Sequence, residues 1–173
     1  MPGIPDDRNF SSPEGVTVWN DRVFVANANF AYQGAQLLYG TGFVTVIDRT
    51  DATVVNVIPL PFENPQEMVV HGDRLWVLCS GVTAWDSENS IVVSKTSGGL
   101  AGIDLAAVDT ADGPISTIPI PTTEGSLVGY PSGIAISGNE AWIASGTTAA
   151  LFMVDLDSGE VIRGAADPVF LAE

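Results

Sequence analysis

Residues with the types and spacing for chemistry are few in this chain. The densest group of hard oxygen donors is Asp86, Glu88 and Asn89, three within four residues and next to Trp85. Carboxylate and amide oxygens this close together could share a Ca²⁺ ion. The spacing is not that of an EF-hand, since neither the sixth-position glycine nor the twelfth-position glutamate is present. A second group is aromatic and polar without charge: Phe30, Tyr32, Gln33 and Tyr39. Such side chains offer contact area with a hydrogen-bonding tip, or pack down onto neighbouring loops. His71 is the sole histidine, so any Ser-His-Asp triad or histidine metal site has to use it. Cys79 is the sole cysteine and has no basic or histidine neighbour in LWVLCSG, which reads as a small buried strand residue. No GxSxG, phosphate-binding glycine loop or HExxH occurs, and no residue pattern calls for a cofactor.

The composition limits the partners. The chain has 173 residues with a formal charge of −15, and 21 acidic side chains face six basic ones. That surface repels phosphate backbones and argues against nucleic acid or anionic membrane. No apolar run approaches the length of a membrane span. Gly 18 and Pro 11 suit a protein of many short strands and turns. The single cysteine excludes an intrachain disulfide.

What must position the candidate residues is a repeat. PEGVTVWNDRVFVAN starts at Pro13, PQEMVVHGDRLWVLC at Pro65 and PSGIAISGNEAWIAS at Pro131, aligned without gaps over fifteen positions. The eighth residue after each proline is Asp21, Asp73 or Asn139, preceded by Asn20, Gly72 or Gly138. These dipeptides tolerate the positive φ of a primed hairpin turn, and β-branched apolar stretches flank them. The eleventh residue is a large aromatic, Phe24, Trp76 or Trp142, read as packing between repeats. A third strand then ends in Asp48, Asp104 or Asp155, a recurrence that suits carboxylates accepting hydrogen bonds from turn amides. A fourth strand follows, so the unit is a four-stranded meander. Its strands are apolar on both faces, and stacking one sheet on the next covers them.

The sequence pattern of proline, apolar strand, Gly-Asn/Asp, then RVFVAN with FVTVIDRTDATVVNVI, or EAWIAS with LFMVDLDSGEVI, resembles the YVTN-type β-propeller repeat. The expected fold is therefore all-β, a β-propeller fragment of four-stranded antiparallel blades. Its divisions are a tail at 1–12, blades at 13–64, 65–130 and 131–167, and the start of a further blade at 168–173, where PVFLAE is set over PSGIAI. Proteins of this family resemble closed rings of more blades, mostly exported, which implies an extracellular or periplasmic setting. Three blades cannot close such a ring, so either the sequence belongs to a longer one or chains associate through exposed blade faces. The resemblance leaves activity open, because similar blades occur in binding proteins, lactonases and dehydrogenases.

Alternation of a meander places the function. The long excursions, 28–41 and 82–98 within blades and 61–64 and 121–130 between them, all fall in one set of connections and should gather on one face. That face carries the candidate binding residues Tyr32, Tyr39, Trp85, Asp86, Glu88 and Asn89. His71 lies at the opposite end. With no catalytic constellation in view, the residues favour a non-enzymatic binding or scaffold module for a protein or glycan. The alternative is a lactonase-like hydrolase with Ca²⁺ at the ring centre, held by carboxylates from several blades.

Overall fold

The computed structural model describes residues 10–34, 36–122, 124–125, 130–146 and 150–170. Its strands run β1 (Pro13–Trp19), β2 (Arg22–Asn27), β3 (Phe30–Gln33), β4 (Gln36–Tyr39), β5 (Phe43–Asp48) and β6 (Val54–Pro59). They continue with β7 (Pro65–His71), β8 (Arg74–Cys79), β9 (Thr83–Asp86), β10 (Ile91–Ser94), β11 (Gly98–Asp104) and β12 (Ser116–Ile120). The last are β13 (Pro131–Ser137), β14 (Glu140–Ser145), β15 (Ala150–Asp155), β16 (Val161–Arg163) and β17 (Val169–Phe170). Three antiparallel blades result, ordered β1-β2-β5-β6, β7-β8-β11-β12 and β13-β14-β15-β16. The fold is all-β, a fragment of a β-propeller.

The repeat is visible bond by bond. Asn20, Gly72 and Gly138 turn each β-hairpin with φ of 49°, 60° and 57°. Positive φ at that position is what a primed hairpin turn requires, and the twist of such turns matches that of the strands. Each blade's proline pairs with the end of the second strand, opposite Asn27, Cys79 or Ser145, and one extra residue then shifts the register. Such a bulge bends the innermost strand. One position past the aligned copies, the amides of Ala28, Ser80 and Gly146 donate to the carbonyls of Ser12, Asn64 and Tyr130 at 2.9, 2.9 and 2.7 Å. The recurrent aspartates do as their position suggests. Asp48 accepts from the Thr50 amide, Asp104 from Ala106, and Asp155 from Asp157 and Ser158.

Period-two alternation then sets the stack. From β8, Leu75, Val77 and Cys79 join Phe24, Ala26, Val44, Val46 and Ile58 in the core between the first two blades. The intervening Trp76 and Leu78 point the other way, into a second core with Ile143, Phe152 and Val154. The innermost strand β7 lies against both β1 and β13. Polar links cross the same seams: Thr17 Oγ1 donates to the Met68 carbonyl at 2.9 Å, and the Ile134 amide donates to Glu67 Oε2 at 2.9 Å. Both faces of the middle blade are therefore buried, as its apolar strands require.

Three placements differ from the sequence reading. Val169 and Phe170 do not open a new blade. They pair with Leu151 and Ala150 on β15 and prolong the outer edge that β16 begins. The rest of that segment, 171–173, lies outside the described residues, as do residues 1–9 of the N-terminal tail. The connection from Leu105 to Ile115 is long although it sits at the end opposite the hairpin excursions. It is spent on packing: Leu105 and Val108 are buried against the first blade, and Asn56 Nδ2 donates to the Val108 and Ala111 carbonyls, each at 2.9 Å. Phe24 and Trp76 pack between blades, whereas Trp142 faces away from the second blade and belongs to neither core.

Candidate functional site

The two excursions inside blades are β-hairpins. In the first, β3 and β4 pair with Phe30 opposite Tyr39 and Tyr32 opposite Leu37. Residues paired across an antiparallel ladder share a face, so Phe30, Tyr32, Leu37 and Tyr39 form one face. In the second, β9 and β10 pair Thr83 with Ser94 and Trp85 with Val92, which puts those four on one face. The two faces meet. Tyr39 Oη and Thr83 Oγ1 lie 2.9 Å apart in a hydrogen bond that joins the hairpins of adjacent blades.

Beyond that bond the hairpins diverge around a cleft of about 740 Å³ lined by Tyr32, Leu37, Val82, Thr83, Ala84, Trp85, Val92 and Lys95. The lining is mainly aliphatic and aromatic, with one cation at the margin. Lys95 Nζ is partnered by Glu124 at 3.1 Å across exposed surface. Tyr32 and Trp85 are 72 % and 64 % exposed, large apolar surfaces left to solvent at the mouth. Opposite Thr83, the Ser94 hydroxyl is fully buried and has no hydrogen-bond partner among the described residues.

The sequence-selected residues divide by role. Phe30 and Tyr39 pack, their rings 6.0 Å apart in an edge-on arrangement that also includes Tyr32 at 6.1 Å from Phe30. Burial raises the Tyr39 phenol above its ordinary pKa, opposed by the bond to Thr83 and reinforced by Tyr130 and Glu14. Burial raises Tyr130 too, with Glu14 adding to it. Gln33 ends β3 and is exposed at the tip.

Asp86, Glu88 and Asn89 form the tip of the second hairpin. Asp86 Oδ1 accepts from the amides of Glu88 and Asn89 at 2.9 and 3.3 Å, and Oδ2 from Asn89 Nδ2 at 2.8 Å. Those bonds, the Asn89 side chain first, hold the Asp86 carboxyl below the usual carboxylate range. Both its oxygens thus serve the turn, while Glu88 and Asn89 stay exposed. Among the described residues no three His, Cys, Asp or Glu side chains converge as a metal-binding group. His71 ends β7 at the far end, beside a smaller cleft of about 220 Å³. Cys79 is fully buried, and burial pushes its thiol far above the ordinary range. It has no nucleophilic character.

Sequence reasoning did not bring Thr83, Leu37 and Val92 to the site. Their signal was present in the alternation of FAYQ and QLLY about a glycine, and of TAWD and IVVS about a polar turn. The Tyr39–Thr83 bond had no signal, because it joins two segments related only by the stacking of their blades.

No family model matches the chain, and no curated protein does. Among solved structures it is similar to the hydrazine synthase of Kuenenia stuttgartiensis at 18 % identity and a TM-score of 0.59. That likeness covers 100 % of this chain and 40 % of the other, so the chain spans about two fifths of the length of this relative. It is also similar to the computationally designed Ika4 protein at 8 % identity and a TM-score of 0.50, covering 95 % of this chain and 78 % of that one. At these identities the likeness is one of fold, and it agrees with the stacked sheets: the chain is a β-propeller fragment.

Proposed function

We propose that the chain is a binding module whose ligand sits in the cleft between the two hairpins, and that the ligand is an apolar-anchored segment of a protein. The observation that carries this is the pair of facing hairpin surfaces, fixed to each other by Tyr39 and Thr83, with Tyr32 and Trp85 unburied at the mouth. Exposed aromatics over an apolar pocket are typical anchors of protein recognition. A glycan would want a denser set of hydrogen-bonding groups than Val82, Ala84, Leu37 and Val92 provide. Each hairpin is a two-stranded sheet, so its outer backbone edges offer a partner strand amides and carbonyls. The YVTN-type repeat and an extracellular or periplasmic location form part of this reading, supported by the repeat pattern and the acidic, lysine-poor surface.

A displayed peptide library panned on the protein tests it. Enriched peptides should carry aromatic or aliphatic anchors. Trp85→Ala should weaken them at least about tenfold, in the range of interface hot spots, while His71→Ala at the far end should not. Peptides that bind Trp85→Ala as well as wild type, or a glycan array giving the only cleft-dependent binders, would overturn the proposal.

A further inference from the structure

Charge is distributed unevenly along the cleft between the hairpins. Near its base, where Tyr39 and Thr83 join, the chain's sole lysine, Lys95, lines the wall. Its charge is cancelled by Glu124, 3.1 Å away. Toward the mouth the second hairpin runs on past Trp85 into Asp86, which pairs with Ile91, and then into the exposed Glu88. Asp86 accepts from the amides of Glu88 and Asn89 and from the Asn89 side chain, and those bonds keep its carboxyl ionised at neutral pH. Among the described residues no ion pair includes Asp86 or Glu88. The first hairpin brings no opposing charge, since residues 33–36 read QGAQ. The mouth is thus a pair of exposed aromatics, Tyr32 and Trp85, edged by two carboxylates that lack a cation, on a chain of formal charge −15.

We infer that the protein segment held in this cleft is basic, its apolar anchor flanked on the mouth side by Lys or Arg that come to lie beside Asp86 and Glu88. The inference rests on the binding role proposed above and adds to it the charge of the partner. A cation at the mouth answers both carboxylates and can also stack on the exposed Trp85 ring. An acidic segment meets repulsion at the rim and from the chain as a whole, and it gains a cation only by drawing Lys95 away from Glu124. Rim charges act mainly on encounter, so the preference belongs in the association rate and fades as salt rises.

Synthetic peptides sharing one aromatic and aliphatic anchor, flanked by Lys/Arg, by Gly/Ser or by Asp/Glu, test it against the full chain, with a Lys/Arg peptide lacking the anchor as control. At low salt the anchored basic set should associate at least about tenfold faster than the acidic set. The gap should narrow toward about 0.15 M salt, where the Debye length is about 8 Å. Asp86 uses the Glu88 amide and not its side chain, so Glu88→Lys leaves the turn in place. That variant should slow the basic set and speed the acidic one, a reciprocal change that unfolding does not give. Trp85→Ala should weaken all three anchored sets. If the anchored sets bind alike and all depend on Trp85, the cleft remains the binding site and the basic partner is overturned. A preference for the acidic set overturns it in favour of Lys95 as the ligand contact. If the anchorless basic peptide binds as well as the anchored one and Trp85→Ala changes nothing, the peptides adhere to the acidic surface at large and both readings fail.

Discussion

Replacing Tyr39 by Phe removes one oxygen atom from the bond that clamps the hairpins and leaves the ring packing intact. The bond to Thr83 is 2.9 Å long and half-buried. A neutral hydrogen bond of this kind contributes about 0.5–1.5 kcal/mol net, and the stranded Thr83 hydroxyl, 8 % exposed, brings the cost toward the upper end. Urea unfolding at pH 7 should therefore show a loss of about 1 kcal/mol with an unchanged m-value. A pH dependence accompanies it. The Tyr39 and Tyr130 phenols are raised in the folded state, so above the ordinary phenol pKa the unfolded chain releases protons that the folded chain retains. Stability from these groups is full below that pKa and declines as pH rises toward the folded values. Wild type should lose stability on going above pH ~10, and Tyr39→Phe should lose less over the same interval. An unaltered alkaline slope in both Tyr39→Phe and Tyr130→Phe, with no loss at neutral pH, would refute the clamp.

Other consequences follow from the packing. Leu78 is fully buried between the second and third blades, so Leu78→Ala should cost about 2–5 kcal/mol by denaturant unfolding. Asn56→Ala frees the carbonyls of Val108 and Ala111, which should cost about 1–3 kcal/mol and raise amide exchange across 105–115. The carboxyls of Asp51, Asp86, Asp109, Asp155 and Asp167 are all held below their ordinary range, chiefly by hydrogen bonds. Near and below the ordinary carboxylate pKa the unfolded chain binds more protons, so stability should fall as pH drops through that region. Acid titration of the unfolding midpoint checks this.

Much of the fold was legible because each repeat copy states the same local chemistry. A turn dipeptide that accepts positive φ, alternating apolar strands and an aspartate at the end of the third strand each act within a few residues. The hairpins are harder to see, since FAYQGAQLLY and TAWDSENSIVVS belong to no repeat and their length alone marks them only as long connections. Asp86 illustrates a limit of composition: three oxygen donors in four residues suggest a cation, yet the carboxylate is engaged by its own turn. Pro168 illustrates another, because a match of a few residues cannot tell the first strand of a blade from the last. Which aromatics pack and which stay exposed depends on contacts between blades, and local pattern does not encode those.

Methyl-resolved nuclear Overhauser spectroscopy tests the radial stack that positions both hairpins at one end. The account predicts that Leu78 methyl groups contact the Phe152 ring and Ile143, while those of the adjacent Val77 contact first-blade residues such as Val44 and Val46 and no residue of the third blade. Leu78 contacting Phe24 or Val46, or Val77 and Leu78 sharing one set of neighbours, would contradict it.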